Sequence, residues 1–291
     1  MREKRHMRAC PAAAGKRRRK RPRSGTGPGA DNDSDGKEGG AVSGERVAKR
    51  IARAGLCSRR DAERWILAGR VAVDGVTLAT PAVVVSDANA ITVDGKPLPE
   101  KEARRLWRYH KPAGLLTSHK DPAGRTTVFE RLPAGMPRVV SVGRLDFTSE
   151  GLLLLTNDGG LARALELPAT GWSRRYRVRV HGDVDPAALK NLEEGITISG
   201  IHYGPIKAQL DRKQGSNAWL TMSLAEGKNR EVRRVMEHLG LKVTRLIRVA
   251  YGPFQLGHLP KGQVDEVPRK ALKEQLGSLG DGPGNAPRAA R

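Results

Sequence analysis

The sequence predicts an α+β chain in two unequal parts, a small basic module followed by a larger mixed α/β domain. Three observations carry this. Residues 44–98 hold two short helical stripes and then two Asp-Gly turns set between β-rich runs. From Leu106 to about residue 276, alternating strand-like runs are interspersed with helical periodicity. Between the two, a polar, charged stretch containing Pro97 and Pro99 places a linker at 99–105.

Taken in order, residues 1–43 contain Lys16-Arg17-Arg18-Arg19-Lys20-Arg21 and a Gly/Ser/Asp-rich run without apolar periodicity. They are expected to form a disordered basic arm that holds phosphates without reading sequence. In the small module, Val47, Ile51 and Ala54 make one stripe that Gly55 can end. Ser58 and Asp61 form a capping-box pattern, Ala62, Trp65 and Ile66 make the next stripe, and Gly69 closes it. Asp74-Gly75 and Asp94-Gly95 are hairpin turns. In the larger domain, 138–143, 175–182, 218–224 and 242–251 read as strands. Val232, Val235, Met236 and Leu239 mark a helix stopped by Gly240, and 277–291 reads as a second disordered tail.

The 291 residues carry a formal net charge of +22 and a sequence pI near 10.7. Charge of this size says little about fold but points to a polyanionic partner. An anionic membrane surface fits less well, because no long amphipathic basic helix or lipidation signal is present. The longest leucine run is too short to span a bilayer, and no secretory signal is read at the start, so a cytoplasmic protein is expected. Cys10 and Cys57 lack metal or disulfide-framework spacing, and the seven histidines show neither triad nor zinc spacing.

The most informative stretch is GRLDFTSEGLLLLTNDG at 143–159. Asp146 sits between Arg144 and a hydroxyl-rich turn, and Leu152 to Leu155 should anchor that turn in a dry core. A carboxylate at the mouth of a fixed turn suits acid–base or nucleophilic chemistry, although an Asp turn before a buried strand is an equally good reading of the spacing.

This stretch resembles the catalytic motif of the bacterial rRNA pseudouridine synthases of the RsuA/RluB/RluE/RluF family, with Phe147 and Ser149 at variable positions. The two basic helices and hairpins of 44–98 resemble the S4 RNA-binding domain. Lys49, Arg53, Arg59, Arg60 and Arg64 are its candidate RNA contacts, against the reading of a solvated basic face. The resemblance implies an S4-like domain ahead of a pseudouridine synthase domain, 106–276, built on antiparallel sheet. It further implies isomerisation of an rRNA uridine by an aspartate acting on a flipped-out base, without cofactor or metal, and a monomer.

By this resemblance Asp146 is the catalytic residue. Glu226-Gly227-Lys228-Asn229-Arg230-Glu231-Val232-Arg233-Arg234 is similar to the family's EGxNREVxR element, placing Arg233 against the carboxylate, with Lys228 and Arg230 facing phosphates. Tyr176 shares the apolar face of its strand with Val178 and Val180, where a core tyrosine is the default; the family's YxVxV strand instead gives it to the target uracil. Lys111, in a loop similar to the family's YxKPxG segment, and Arg144 complete the RNA contacts. The run KDPAGRTTVFERLP points to the RluB branch, hence to a 23S rRNA hairpin near the peptidyl-transferase centre. The same chemistry on 16S rRNA, a non-catalytic ribosome-assembly factor, and a glycoside-type hydrolase pairing Asp146 with Glu150 are the alternatives.

Overall fold

The computed structural model describes residues 44–100, 102–167 and 171–277. The tails expected to be disordered, 1–43 and 277–291, lie outside these residues except for Gly277.

The small module runs β1 (Glu45–Arg46), α1 (Val47–Arg53), α2 (Arg59–Leu67), β2 (Val71–Val73), β3 (Val76–Thr77), β4 (Val84–Val85), β5 (Ile91–Val93) and β6 (Lys96–Pro97). Its local geometry follows the sequence signals. Gly55 takes φ +82° just beyond α1, and the Ser58 hydroxyl caps α2 by accepting from the Asp61 amide at 3.1 Å. Both residues of Asp74-Gly75 and of Asp94-Gly95 have positive φ, which a two-residue hairpin needs to match the strand twist. Val47, Ile51, Ala62, Ile66 and Val71 form a core of their own.

The large domain begins with β7 (Leu106–Lys111), β8 (Val140–Val142), β9 (Glu150–Thr156), α3 (Gly159–Glu166) and β10 (Arg174–His181). It continues through α4 (Pro186–Asn191), β11 (Ile196–Ile198), β12 (Ile201–Tyr203), β13 (Ile206–Gln214) and β14 (Asn217–Leu224). It ends with α5 (Glu231–His238), β15 (Lys242–Tyr251), β16 (Phe254–Gln255), β17 (Val264–Glu266) and α6 (Arg269–Leu276). The main sheet orders its strands β13-β14-β10-β15-β9-β7-β17, with β16 beside β15 and β8 beside β9. Every pairing is antiparallel except β15 with β9, which touch in parallel at Ile247↔Glu150 and Arg248↔Gly151.

The leucine run lies in β9 near the middle of this sheet, and each leucine is fully buried. Leu153 and Leu155 face one core with Tyr176, Val178, Val235 and Met236; Leu152 and Leu154 face a second with Leu161, Tyr251 and Leu272. Covering both faces of a strand is why the run reads as continuous apolar sequence. Burying four leucines contributes roughly 2 kcal/mol each and fixes the segment immediately before them. Gly151 is dictated by the crossing: a Cβ there would stand 2.3 Å from the Arg248 carbonyl oxygen.

Candidate active site

The segment from Gly143 to Ser149 is a turn between β8 and β9, held from several directions. The Gly143 amide donates to Glu166 Oε1 at 2.7 Å, and the Thr117 hydroxyl donates to the Leu145 carbonyl at 2.9 Å. Ser149 closes the turn by donating its amide to the Asp146 carbonyl at 3.0 Å, while the Gly114 amide donates to the Phe147 carbonyl at 2.8 Å. Beneath it lies Lys111, expected to meet a phosphate but fully buried at the end of β7. Its Nζ donates to the carbonyls of Asp146 at 3.1 Å and Ser149 at 2.9 Å. The alternation of β7 aims this lysine inward, under the turn and away from solvent. Burial pushes its ammonium down to about 8, against the opposing charges of Asp146 and Glu150.

The turn forms one wall of a cavity of about 630 Å³. Asp146, its side chain 34 % exposed, lines the cavity together with Tyr176, Leu246 and Arg248 from the sheet and Arg230 and Val232 from the start of α5. Tyr176 lies in a cross-strand row between Met222 of β14 and Arg248 of β15. It is nearly buried, belongs to the main core, and still borders the cavity. Its strand therefore satisfies the core reading and the site reading together.

The cations differ from expectation. Arg230, not Arg233, makes the ion pair with Asp146, Nη1 to Oδ2 at 3.9 Å. Arg230 achieves this from a left-handed backbone, φ 52° and ψ 30°, as the residue that caps α5. For a non-glycine residue this conformation costs about 1 kcal/mol or more, and such strain clusters at functional sites. Arg233 donates instead to the Thr148 hydroxyl at 3.0 Å, two residues further along the same turn. Burial lowers its guanidinium, as does Arg230, while the charge of Asp146 works the other way. Lys228, expected to face phosphates, is turned onto the protein: it pairs with Glu226 and donates to the His202 carbonyl at 2.8 Å. Arg144 is exposed at the cavity wall.

Glu150 does not join Asp146. It is held by Arg245 at 2.8 Å and Lys261 at 2.7 Å, which keep its carboxyl at about 2, and it is absent from the cavity wall. In the small module, Lys49 and Arg53 pair with Glu45, and Arg64 pairs with Asp61. Arg59 and Arg60 are exposed at the start of α2.

Residues 105–238 match the family described as RNA pseudouridylate synthase, and residues 45–90 match the S4 domain. An RNA pseudouridine synthase of Rickettsia prowazekii is 48 % identical over 79 % of this chain and 97 % of its own. The chain belongs to the RNA pseudouridine synthases. It is also 43 % identical to the ribosomal large subunit pseudouridine synthase B of Yersinia pestis, over 78 % of this chain and 74 % of that one. A crystal structure of a pseudouridylate synthase aligns with a TM-score of 0.56 at 26 % identity, covering 79 % of this chain and 99 % of its own. No helix among the described residues is long and apolar enough to cross a membrane.

Two residues of this synthase site escaped sequence reasoning. Thr117, whose hydroxyl also accepts from the Leu145 amide at 3.4 Å, comes from a loop with no distinguishing signal. Arg248 had one: it occupies an apolar-face position of β15, between Leu246 and Ala250, where alternation calls for a hydrophobic residue.

Proposed function

We propose that this synthase isomerises a uridine of large-subunit ribosomal RNA to pseudouridine, with Asp146 as the catalytic carboxylate. The observation that carries the reading is that Asp146 and Tyr176 border one cavity, with the Asp146 turn fixed from below and a cation set beside the carboxylate. The ribosomal target is supported by the identity to the Yersinia pestis large-subunit enzyme and by the charge of +22, which favours a polyphosphate ligand.

In this reading the target nucleoside leaves its stack, and the ring of Tyr176 supports the uracil without hydrogen-bond readout. The C1′–N1 bond breaks, the base turns, C5 joins C1′, C5 gives up a proton and N1 takes one up. No atom is gained or lost overall. Whether the carboxylate attacks C1′, adds to C6 or removes a C2′ proton, the Arg230 guanidinium stands 3.9 Å from its Oδ2. Arg59, Arg60 and Arg144 then serve RNA phosphates, because they are exposed cations.

The test is to map pseudouridines across rRNA from cells lacking the protein and to restore either the wild type or Asp146→Asn. The expected result is one large-subunit position regained with the wild type alone. Conversion by the Asn variant excludes Asp146 as the catalytic carboxylate. A small-subunit site would move the target, and release of free uracil would mean hydrolysis.

A further inference from the structure

Arg248 is 2 % exposed. Its Nε donates to the Leu152 carbonyl at 2.8 Å, and its guanidinium carbon lies 5.1 Å from the centre of the Tyr251 ring. No carboxylate stands within ion-pair distance among the described residues, and its Nη2 has no hydrogen-bond acceptor there. Arg245, three residues earlier on the same strand, shows the contrasting case of a cation committed to a carboxylate, with two bonds to Glu150. A buried, unpaired guanidinium is costly, and a fold retains one where something else will supply the acceptor.

Its position names that acceptor. Arg248 is the direct cross-strand partner of Tyr176, and both line the same cavity. Side chains opposite one another on one face of an antiparallel pair have Cβ atoms about 5 Å apart. The two side chains therefore leave the sheet side by side and border the one cavity in which a base would rest. Arginine offers only donors, and the acceptors at the edge of a uracil are its two carbonyl oxygens. Arg144, an exposed cation of the cavity wall, is better placed for phosphates. The close crossing at Gly151, which leaves no room for a Cβ, fixes the Arg248 backbone against β9.

We propose that Arg248 is a catalytic residue whose guanidinium donates to a ring carbonyl of the target uracil. This rests on the isomerase reading above. When C1′–N1 breaks, the electron pair stays on the ring and spreads onto its carbonyl oxygens. When C5 joins C1′, the pair is used, the C5 proton departs and N1 takes up a proton, so the product is an isomer of the substrate. A preorganised charged donor at the oxygen stabilises the interval between these steps.

The experiment measures single-turnover rates and RNA affinity on an rRNA fragment carrying uridine, 2-thiouridine or 4-thiouridine at the target. For Arg248→Gln, the uridine rate should fall about 10²- to 10³-fold, as for loss of one such donor, with RNA affinity nearly unchanged. One of the two thio substitutions should slow the wild type and have no further effect on the variant. Added guanidinium should restore part of the rate of Arg248→Ala, which a merely supporting role for the side chain does not predict. An unchanged rate in Arg248→Gln overturns the proposal. So does a wild type indifferent to both thio substitutions, a result that holds even if the variants fail to fold. Absence of any conversion of the uridine fragment by the wild type instead removes the isomerase reading.

Discussion

Replacing Lys111 by Met removes an ammonium while keeping most of the side chain's length. The Lys111 Nζ donates to the carbonyls of Pro112 and Asp146, each at 3.1 Å, to Ser149 at 2.9 Å, and more weakly to Phe147 at 3.5 Å. Leaving three carbonyls without this donor costs about 1 kcal/mol apiece at the low end of the range, so about 3 kcal/mol in all. Against this, burial lowers the lysine from 10.5 to about 8, and at about 1.4 kcal/mol per pH unit the variant escapes a penalty of about 3 kcal/mol. The two effects nearly cancel, so the melting temperature should move by no more than about 4 °C. The Asp146 turn loses its support, and a displacement near 1 Å costs about 10²-fold in rate. Thermal melts by circular dichroism and single-turnover kinetics are the assays. Full activity in Lys111→Met, or a large loss of melting temperature with activity intact, would refute the reasoning. The pH dependence has a definite sign. The unfolded lysine holds its proton up to about 10.5 and the folded one releases it near 8, so the unfolded chain binds more protons in that window and global stability rises across it. Activity should fall over the same interval as the turn loses its charged support, and Lys111→Met should lack that limb.

Three other outcomes are expected. Arg230→Gly relieves a left-handed backbone at φ 52° and should stabilise the protein by about 1 kcal/mol while slowing turnover; a melt and a rate measurement together decide it. Gly151→Ala places a Cβ 2.3 Å from the Arg248 carbonyl oxygen at φ +104°, and should destabilise by more than about 3 kcal/mol, read as loss of soluble folded protein or a sharply lowered melt. Glu150, held at about 2 by Arg245 and Lys261, contributes stability that is complete above its unfolded value near 4.5 and disappears as the pH falls toward 2. Glu150→Gln should flatten acid unfolding over that window and leave catalysis in place, whereas a paired-carboxylate mechanism requires both activities to fail together.

Much of the chain was legible because its signals are local. The Asp-Gly turns, the Ser58 cap and the strand at 242–251 depend on residues within a few positions of one another, and the structure carries all three. The strand holding Tyr176 was read one residue too far along, as 175–182, since it runs Arg174–His181. The hairpin of β11 and β12 and the long strand β13 gave weaker patterns, the latter because most of its residues are exposed or half-buried and alternate poorly. The antiparallel expectation held except where β9 meets β15, a contact between segments nearly a hundred residues apart.

By itself the sequence determined the two-part organisation, the family, and the turn that presents Asp146, because periodicity, turn chemistry and the motif are written in consecutive residues. Only the tertiary structure decided what each charge meets. The sequence put Lys111 in a loop facing RNA and passed over Arg248; the structure places the first under the Asp146 turn and the second across from Tyr176 in the sheet. Alternation also left open which arginine reaches the carboxylate, and a left-handed residue at the start of α5 gave that place to Arg230. The physical reason is that strand register and the crossing of β9 with β15 set these neighbours, and both are settled by packing across the whole sheet.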